Sequence, residues 1–193
     1  MSEERDTDQV LNKPEERWVL VRHGQTAWNL DNRLQGRSDV RLNATGRQQA
    51  ERAGVQLAKE GPWDLVVCSP LGRARQTAQI IADYLGIWQV LEVEGLVERD
   101  YGAAEGRYLD RISPEERERL LAGGEAEDDV VVRAVDALRT LVEQNPDSRV
   151  VIVAHGTLIR LVLGALAESP HPRVENGEVL VLDTRRLHEF VQR

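Results

Sequence analysis

From residue 18 onward, apolar positions along the chain follow two alternating rhythms. Short β-branched runs at 18–21 ("WVLV"), 64–68 ("DLVVC"), 88–93 ("WQVLEV") and 149–154 ("RVVIVA") have the unbroken apolar character of strands buried on both faces. Between them, apolar residues recur every three or four positions, the period of a helix with one face on a core. Thr45-Gly46-Arg47-Gln48 has the form of a capping box, opening a helix that Gly61 closes. Ser69-Pro70 reads as a cap and a first-turn proline, with Leu71, Ala74, Ala78, Ile81 and Leu85 on one face behind it. Ser113-Pro114-Glu115-Glu116 is a second capping box, before a short helix. Within 125–144, Val131, Ala134, Val135, Leu138, Leu141 and Val142 share one side, and Asn145-Pro146 stops the helix. "TLIRLVLGALA" (157–167) is apolar nearly all round, which predicts the most buried helix of the set. The last stretch, "GEVLVLDTRRLHEFVQR", reads as two strands around a "DTRR" turn at an antiparallel edge. The alternation predicts an α/β fold with a mostly parallel central sheet and an antiparallel edge strand.

Two stretches depart from the rhythm. Residues 1–17 are charged and poor in apolar side chains, as in a mobile tail ahead of a single domain at 18–193. Residues 100–128, with Gly102, Gly106, Gly123 and Gly124, are the loosest section, where a short lid over a ligand would be inserted. Composition narrows the class further. With 193 residues, 41% hydrophobic and 30% charged, the chain can bury one substantial core. Its longest strongly apolar stretch, 158–167, is broken by Arg160 and too short for a bilayer, so no membrane association is expected. "MSEERDTDQV" has no apolar leader region, and Cys68 is the only cysteine; together they predict a cytoplasmic protein without an internal disulfide. A net charge of −8 argues against a nucleic-acid partner. The cations are nearly all Arg, with only Lys13 and Lys59 as lysines, and several Arg stand beside strand ends.

In a parallel sheet, loops leaving the carboxyl ends of the strands hold the ligand. Arg22, His23 and Gly24 follow the first strand, Arg73 and Arg75 the second, Glu98, Arg99 and Asp100 the third, and His155, Gly156 and Thr157 the fourth. Parallel strands would bring these groups to one rim. Too few His or Cys ligands are present for a structural metal, and neighbouring Arg would repel the ion, so neither metal nor cofactor is expected. The same set suits a phosphoryl group. Guanidiniums neutralise its oxygens, an imidazole can attack phosphorus, and a carboxylic acid can protonate the departing alkoxide. Glycine after each histidine allows close approach of backbone and ligand, and the following helix offers N–H groups to an anion. Taken singly, each residue has an ordinary explanation: a satisfied strand-end histidine, a solvated Arg73, a surface Glu98. Arg37, Arg41, Arg47 and Arg52 read as solvated, Trp28 and Trp63 as packing, and His171 and His188 as structural. The weight lies in finding strand-Arg-His-Gly, strand-Ser-Pro-x-x-Arg and strand-Ala-His-Gly in one chain.

"VRHGQTAWN", "CSPLGRARQTA", "ERDYGAAEGR" and "VAHGTLIR", in that order from about Trp18 to Leu166, resemble the histidine phosphatase superfamily, in its phosphoglycerate-mutase-like branch. The resemblance implies a three-layer α/β/α sandwich with its lid drawn from 100–128, and a small phosphorylated metabolite as partner. It implies that His23 is the nucleophile that becomes phosphohistidine. Arg22, Arg73 and His155 complete the phosphate pocket, and Glu98 is the proton donor. Asn29 matches a phosphate-contacting position, Gln35 a pocket wall and Thr157 a pocket position after the second histidine. The implied reaction has neutral His23 attacking in line while protonated Glu98 serves the leaving oxygen; water activated by Glu98 then cleaves the phosphohistidine.

Within that family, a mutase must exclude water with a closing lid and hold a second anionic group. The segment between Gly106 and Glu125 is short for that and offers Arg107, Arg111, Arg117 and Arg119 among acidic neighbours. That segment and Gln35 resemble the hydrolytic members, so a phosphatase is expected ahead of a cofactor-dependent mutase. A non-catalytic phosphate-binding scaffold ranks last, because nucleophile, arginines and acid are all present. Arg37 and Ala104 depart from the family pattern near the pocket mouth, and an Arg37 there would favour a substrate with a second acidic group. The edge hairpin at 178–192 offers a route to a homodimer.

Overall fold

A computed structural model describes residues 18–190; the mobile tail expected at 1–17 lies outside the described residues. Among the described residues, five strands form one sheet in the order β3-β2-β4-β1-β5. They are β1 (Trp18–Arg22), β2 (Leu65–Cys68), β3 (Val90–Glu92), β4 (Val150–Ala154) and β5 (Val179–Val181). Strands β1 to β4 pair in parallel, and β5 pairs antiparallel with β1 at one edge. The helices are α1 (Ala27–Leu30), α2 (Ala44–Lys59), α3 (Gly72–Leu85), α4 (Pro114–Ala122), α5 (Glu127–Gln144), α6 (Gly156–Ala167) and α7 (Thr184–Glu189).

Successive strand side chains point to opposite faces of a sheet, and here that alternation feeds two cores. Val19, Val21, Val66, Cys68, Val151 and Val153 pack under α2 and α3 with Leu57, Ala74, Ala78 and Ile81. Trp18, Leu20, Val67, Val150, Ile152 and Ala154 pack beneath α5 and α6 with Leu138, Leu158, Ile159 and Val162. The continuous apolar runs of the central strands thus become the middle layer of an α/β/α sandwich. The helix face expected within 125–144 is the buried face of α5.

Three local expectations are corrected. The second strand expected in the closing hairpin is helix α7. Asp183 caps it, accepting from the Arg185 N–H at 3.1 Å, and Leu187 is buried against the layer of α5. The 88–93 run is not buried on both faces. It forms only the short edge strand β3, with Leu91 and Glu92 exposed and Trp88 89% exposed. Helix α2 begins before the Thr45 box, because the Asn43 side chain accepts from the Gly46 N–H at 2.8 Å. Helix α6 is covered nearly all round as expected, with Ala167 its one exposed residue, although Leu161, Leu163 and Ala165 are only partly covered. Ser113 does cap α4, accepting from the Glu116 N–H at 3.2 Å, with Pro114 in the first turn.

Close backbone packing sets the loop after β1. A Cβ on Gly46 would stand 2.1 Å from the Gln25 carbonyl oxygen. Helix propensity alone favours alanine over glycine by about 1 kcal/mol. Overlap with rigid backbone outweighs this, so Gly46→Ala is expected to lower the unfolding free energy by about 1–3 kcal/mol in urea titration. A raised midpoint would show that the loop yields freely.

Candidate active site

Because β1 and β4 are parallel neighbours with Arg22 paired to Ala154, the residues after each strand end side by side. The His23 and His155 rings meet edge to face, with centroids 5.2 Å apart. Arg73 arrives from the first turn of α3 and Glu98 from the loop after β3. Arg22, His23, Arg73 and Glu98 line one cleft of about 320 Å³.

The His23 imidazole is oriented by its own loop. Nδ1 lies 2.7 Å from the Gly24 carbonyl oxygen, which can only accept, so Nδ1 carries the proton and Nε2 the lone pair. The Arg73 Nε–H points at that lone pair from 3.2 Å. Burial, then the charges of Arg73 and Arg22, push the His23 pKa well below the ordinary histidine value. Neutral His23 is the form with a free lone pair, as a nucleophile requires.

Arg73 is fully buried, and its terminal nitrogens donate to the Gly36 carbonyl at 2.6 Å and the Ser38 carbonyl at 2.8 Å. Arg22 donates from Nη1 to the Val174 carbonyl at 2.6 Å, while its buried Nε has no partner among the described residues. Burial lowers both guanidinium pKa values, and the charge of Glu98 opposes this. Both remain cationic, as arginine does in proteins.

His155 Nε2 lies 2.7 Å from the Ser69 hydroxyl, and that oxygen also accepts from the Leu71 N–H. The serine proton can point at Nε2, in the tautomer that carries the histidine proton on Nδ1, a buried atom without a partner among the described residues. A buried donor without a partner, beside two cations, is poised to bind an oxyanion. Burial, followed by Arg73, His23 and Arg22, holds the His155 pKa well below normal.

Glu98 is 7% exposed. One carboxylate oxygen accepts from the Arg99 and Leu158 N–H groups, the other from the Thr157 N–H at 3.2 Å. The N-terminal N–H groups of α6 at 157 and 158 thus serve Glu98, not an anion directly. The Thr157 hydroxyl meets the Tyr101 hydroxyl at 2.6 Å.

Asn29, Gln35 and Thr157 stand on the cleft wall. The Asn29 carboxamide oxygen is engaged by Thr26 and Asn176, and the Gln35 oxygen by Thr26, which leaves the amide nitrogens as the groups for a ligand. Gly24 is not on the wall. Its role is close packing, since a Cβ would stand 2.2 Å from the Gly46 carbonyl oxygen. Arg37 also points elsewhere, half-exposed, toward Asp100 at 3.9 Å and Glu125 at 3.7 Å. Arg75 pairs with Glu92 on the surface.

Sequence reasoning missed Tyr101, Arg33, Arg160 and Arg173, all on the cleft wall, and Asn176, which donates to the His23 carbonyl. It also assigned Ser69 as a helix cap, whereas the cap position belongs to Leu71 and Ser69 serves His155. The only signal for Ser69 was its place inside the "CSPLGR" block.

The chain matches the histidine phosphatase superfamily (branch 1) across residues 18–190 and belongs to it. It is 40% identical over 144 residues to the uncharacterized phosphatase PhoE of Bacillus subtilis, covering 75% of this chain and 74% of that one. It is 35% identical over 180 residues to a metal-independent phosphoserine phosphatase of Arabidopsis thaliana, covering 86% and 76%. The solved structure of a mycobacterial glucosyl-3-phosphoglycerate phosphatase complexed with VO3 is similar in fold. It superposes with a TM-score of 0.74 at 32% identity, covering 84% of this chain and 90% of that chain.

The two depressed histidines make stability depend on pH. Unfolded histidine titrates near 6.5, whereas His23 and His155 stay neutral to well below that value in the fold. Below about pH 6.5 the unfolded chain therefore binds more protons, so stability falls on acidification, by up to about 1.4 kcal/mol per pH unit for each residue. Urea unfolding between about pH 7 and pH 5.5 measures this slope, which His155→Gln should reduce. A flat profile for the unaltered protein would show that both imidazoles accept protons in the fold.

Proposed function

We propose that this protein is a cytoplasmic phosphatase that hydrolyses small phosphomonoesters through a phosphohistidine on His23, without a metal ion. The observation that carries this is the His23 Nε2 lone pair, fixed by the Gly24 carbonyl and flanked by two buried guanidiniums on the same cleft as Glu98. In the first step Nε2 forms a bond to phosphorus as the ester P–O bond breaks, and Glu98 gives its proton to the departing oxygen. Arg22, Arg73 and the His155 Nδ1–H carry the charge that builds on the non-bridging oxygens. In the second, Glu98 takes a proton from water, whose oxygen displaces His23 from phosphorus. Inorganic phosphate leaves.

The substrate reading follows from the mouth. Arg33, Arg160 and Arg173 line the cleft beyond Arg22 and Arg73, and Glu98 is the only acid among the described lining residues. Arg33 is engaged by the Gly106 carbonyl and stacks on Trp28. Arg160 and Arg173 have looser partners, Glu127 at 3.8 Å and Glu175 at 3.5 Å. A phosphate ester bearing a second acidic group, as phosphoserine does, would meet these two arginines. This is the preference expected of Arg37, transferred to other residues.

The wild-type protein should hydrolyse p-nitrophenyl phosphate with a chelator present, and His23→Ala should abolish turnover. Survival of most activity in His23→Ala would end the phosphohistidine reading, and loss of wild-type activity in chelator would end metal independence. Arg160→Ala should raise KM for phosphoserine by about 10-fold, the scale of one charge-assisted contact, with little change for p-nitrophenyl phosphate. Equal effects on both substrates would remove Arg160 from substrate selection. Rapid isomerisation of 3-phosphoglycerate with its bisphosphate primer, releasing little phosphate, would make the protein a mutase instead.

A further inference from the structure

The segment that carries Glu98 has almost no regular structure. A single turn of 3-10 helix (Glu94–Leu96) precedes it, and residues 97–101 that follow belong to no helix or strand. Glu98 nevertheless sits buried, with its carboxylate at a defined place on the cleft. What fixes this segment is a side chain some 35 residues away in sequence, Arg133 on α5.

Arg133 spends one edge of its guanidinium on backbone. Nη1 donates to the Gly95 carbonyl at 2.9 Å and the Val97 carbonyl at 2.8 Å, and Nη2 donates to the Glu98 carbonyl at 3.2 Å. The other edge meets the Glu125 carboxylate at two points, Nε to Oε1 at 2.6 Å and Nη2 to Oε2 at 3.0 Å. Glu125 Oε2 also accepts from the Asp100 N–H at 3.1 Å. One Arg–Glu pair therefore fastens the backbone on both sides of Glu98 to α5. Gly95 brings the segment close to that helix: a Cβ there would lie 2.6 Å from the Ala137 Cβ. Lysine could not replace this arrangement, because a single ammonium cannot present donors along two edges of a planar fork.

The pair is well shielded, with Arg133 22% and Glu125 14% exposed. Burial raises the Glu125 pKa, but the hydrogen bond from Arg133, the Asp100 N–H and the charges of Arg133 and Arg37 outweigh it, so the carboxyl titrates below its ordinary range. Glu125 thus stays ionised, and the latch closed, wherever the enzyme would work.

We propose that Arg133, aligned by Glu125, is a positioning residue for Glu98, setting where the carboxylate stands and so how well it protonates the leaving oxygen. This rests on the reading of Glu98 as proton donor. A residue of this kind has a signature that a mere strut lacks. Its loss harms esters whose leaving group needs a proton and spares those whose leaving group departs unaided.

The test compares β-glycerophosphate, an alkyl ester, with 2,4-dinitrophenyl phosphate, whose anion leaves without a proton. The parameter is kcat/KM, which reports steps up to phosphoryl transfer. Arg133→Met and Glu125→Gln in the full chain should lower kcat/KM for the alkyl ester by about 30-fold or more, within the range of lost general-acid catalysis. For the dinitrophenyl ester the change should stay below about 3-fold. Glu98→Gln is run alongside as the reference. Should Glu98→Gln depress both esters equally, the proton-donor reading falls and the proposal with it. Should Glu98→Gln discriminate while the Arg133 and Glu125 variants do not, only the positioning role is overturned. Arg133→Lys separates charge from shape: it should behave like Arg133→Met, and full rescue by lysine would also overturn the proposal. If Arg133→Met does not fold, Glu125→Gln, which keeps the guanidinium in place, decides.

Discussion

Two arginines and two histidines are buried together at the carboxyl ends of β1 and β4, and the surrounding structure is organised by what offsets that concentration of positive charge. Removing an ion from water costs several kcal/mol unless partners replace the solvent. The imidazoles meet the demand by giving up their protons. The guanidiniums meet it with backbone carbonyls, Val174 for Arg22 and Gly36 with Ser38 for Arg73, and with the charge of Glu98 nearby. Among the described residues an atom from each set has no hydrogen-bond partner, Arg22 Nε and His155 Nδ1, which disposes the pocket to take an anion.

The carbonyls that hold Arg73 must themselves be held. Glu105, from the loop region after β3, accepts from the Arg37 N–H at 2.8 Å and from the Ser38 N–H and hydroxyl at 2.9 and 2.5 Å. Gly36 makes this possible. Its φ of 52° is unfavourable for residues with a side chain, and a Cβ would lie 2.0 Å from Glu105 Oε1. A second strap of the same kind, Arg133 with Glu125, fixes the Glu98 segment. Two acids of the loop region after β3, Glu105 and Glu125, thus hold the segments that carry the carbonyl partners of Arg73 and the backbone of Glu98.

The charge of the whole chain and that of the cleft have opposite sign. Net charge is −8, yet five arginines and one acid line the cleft among the described residues. One of the acids outside the cleft, Glu127 at the start of α5, faces Arg99 and Arg160. Low-dielectric walls focus such a field, which draws anions to the opening.

Local pattern alone disclosed the central strands, the buried faces of α3 and α5, and the order of the motif blocks, because a period of two or of 3.6 is written into neighbouring residues. It also placed His23, Arg22, Arg73, Glu98 and His155 after strands, and parallel pairing then gathered four of them on one cleft with His155 against His23. What it misread has one physical character: the deciding partner is distant in sequence. Ser69 was available as a cap until β4 brought His155 to it across 86 residues. The closing segment had strand-like composition, but its second half found apolar burial on the α5 layer instead of a strand partner beyond β5. Arg37 lies near Gln35 in sequence yet turns to Asp100 and Glu125, while Arg160 and Arg173 reach the cleft from α6 and the loop after it. The sequence by itself determined the layers and the reactive groups, through spacing between neighbours. Only the tertiary structure decided which cations line the cleft and what holds Glu98, since those contacts join segments that meet only when the sheet is closed.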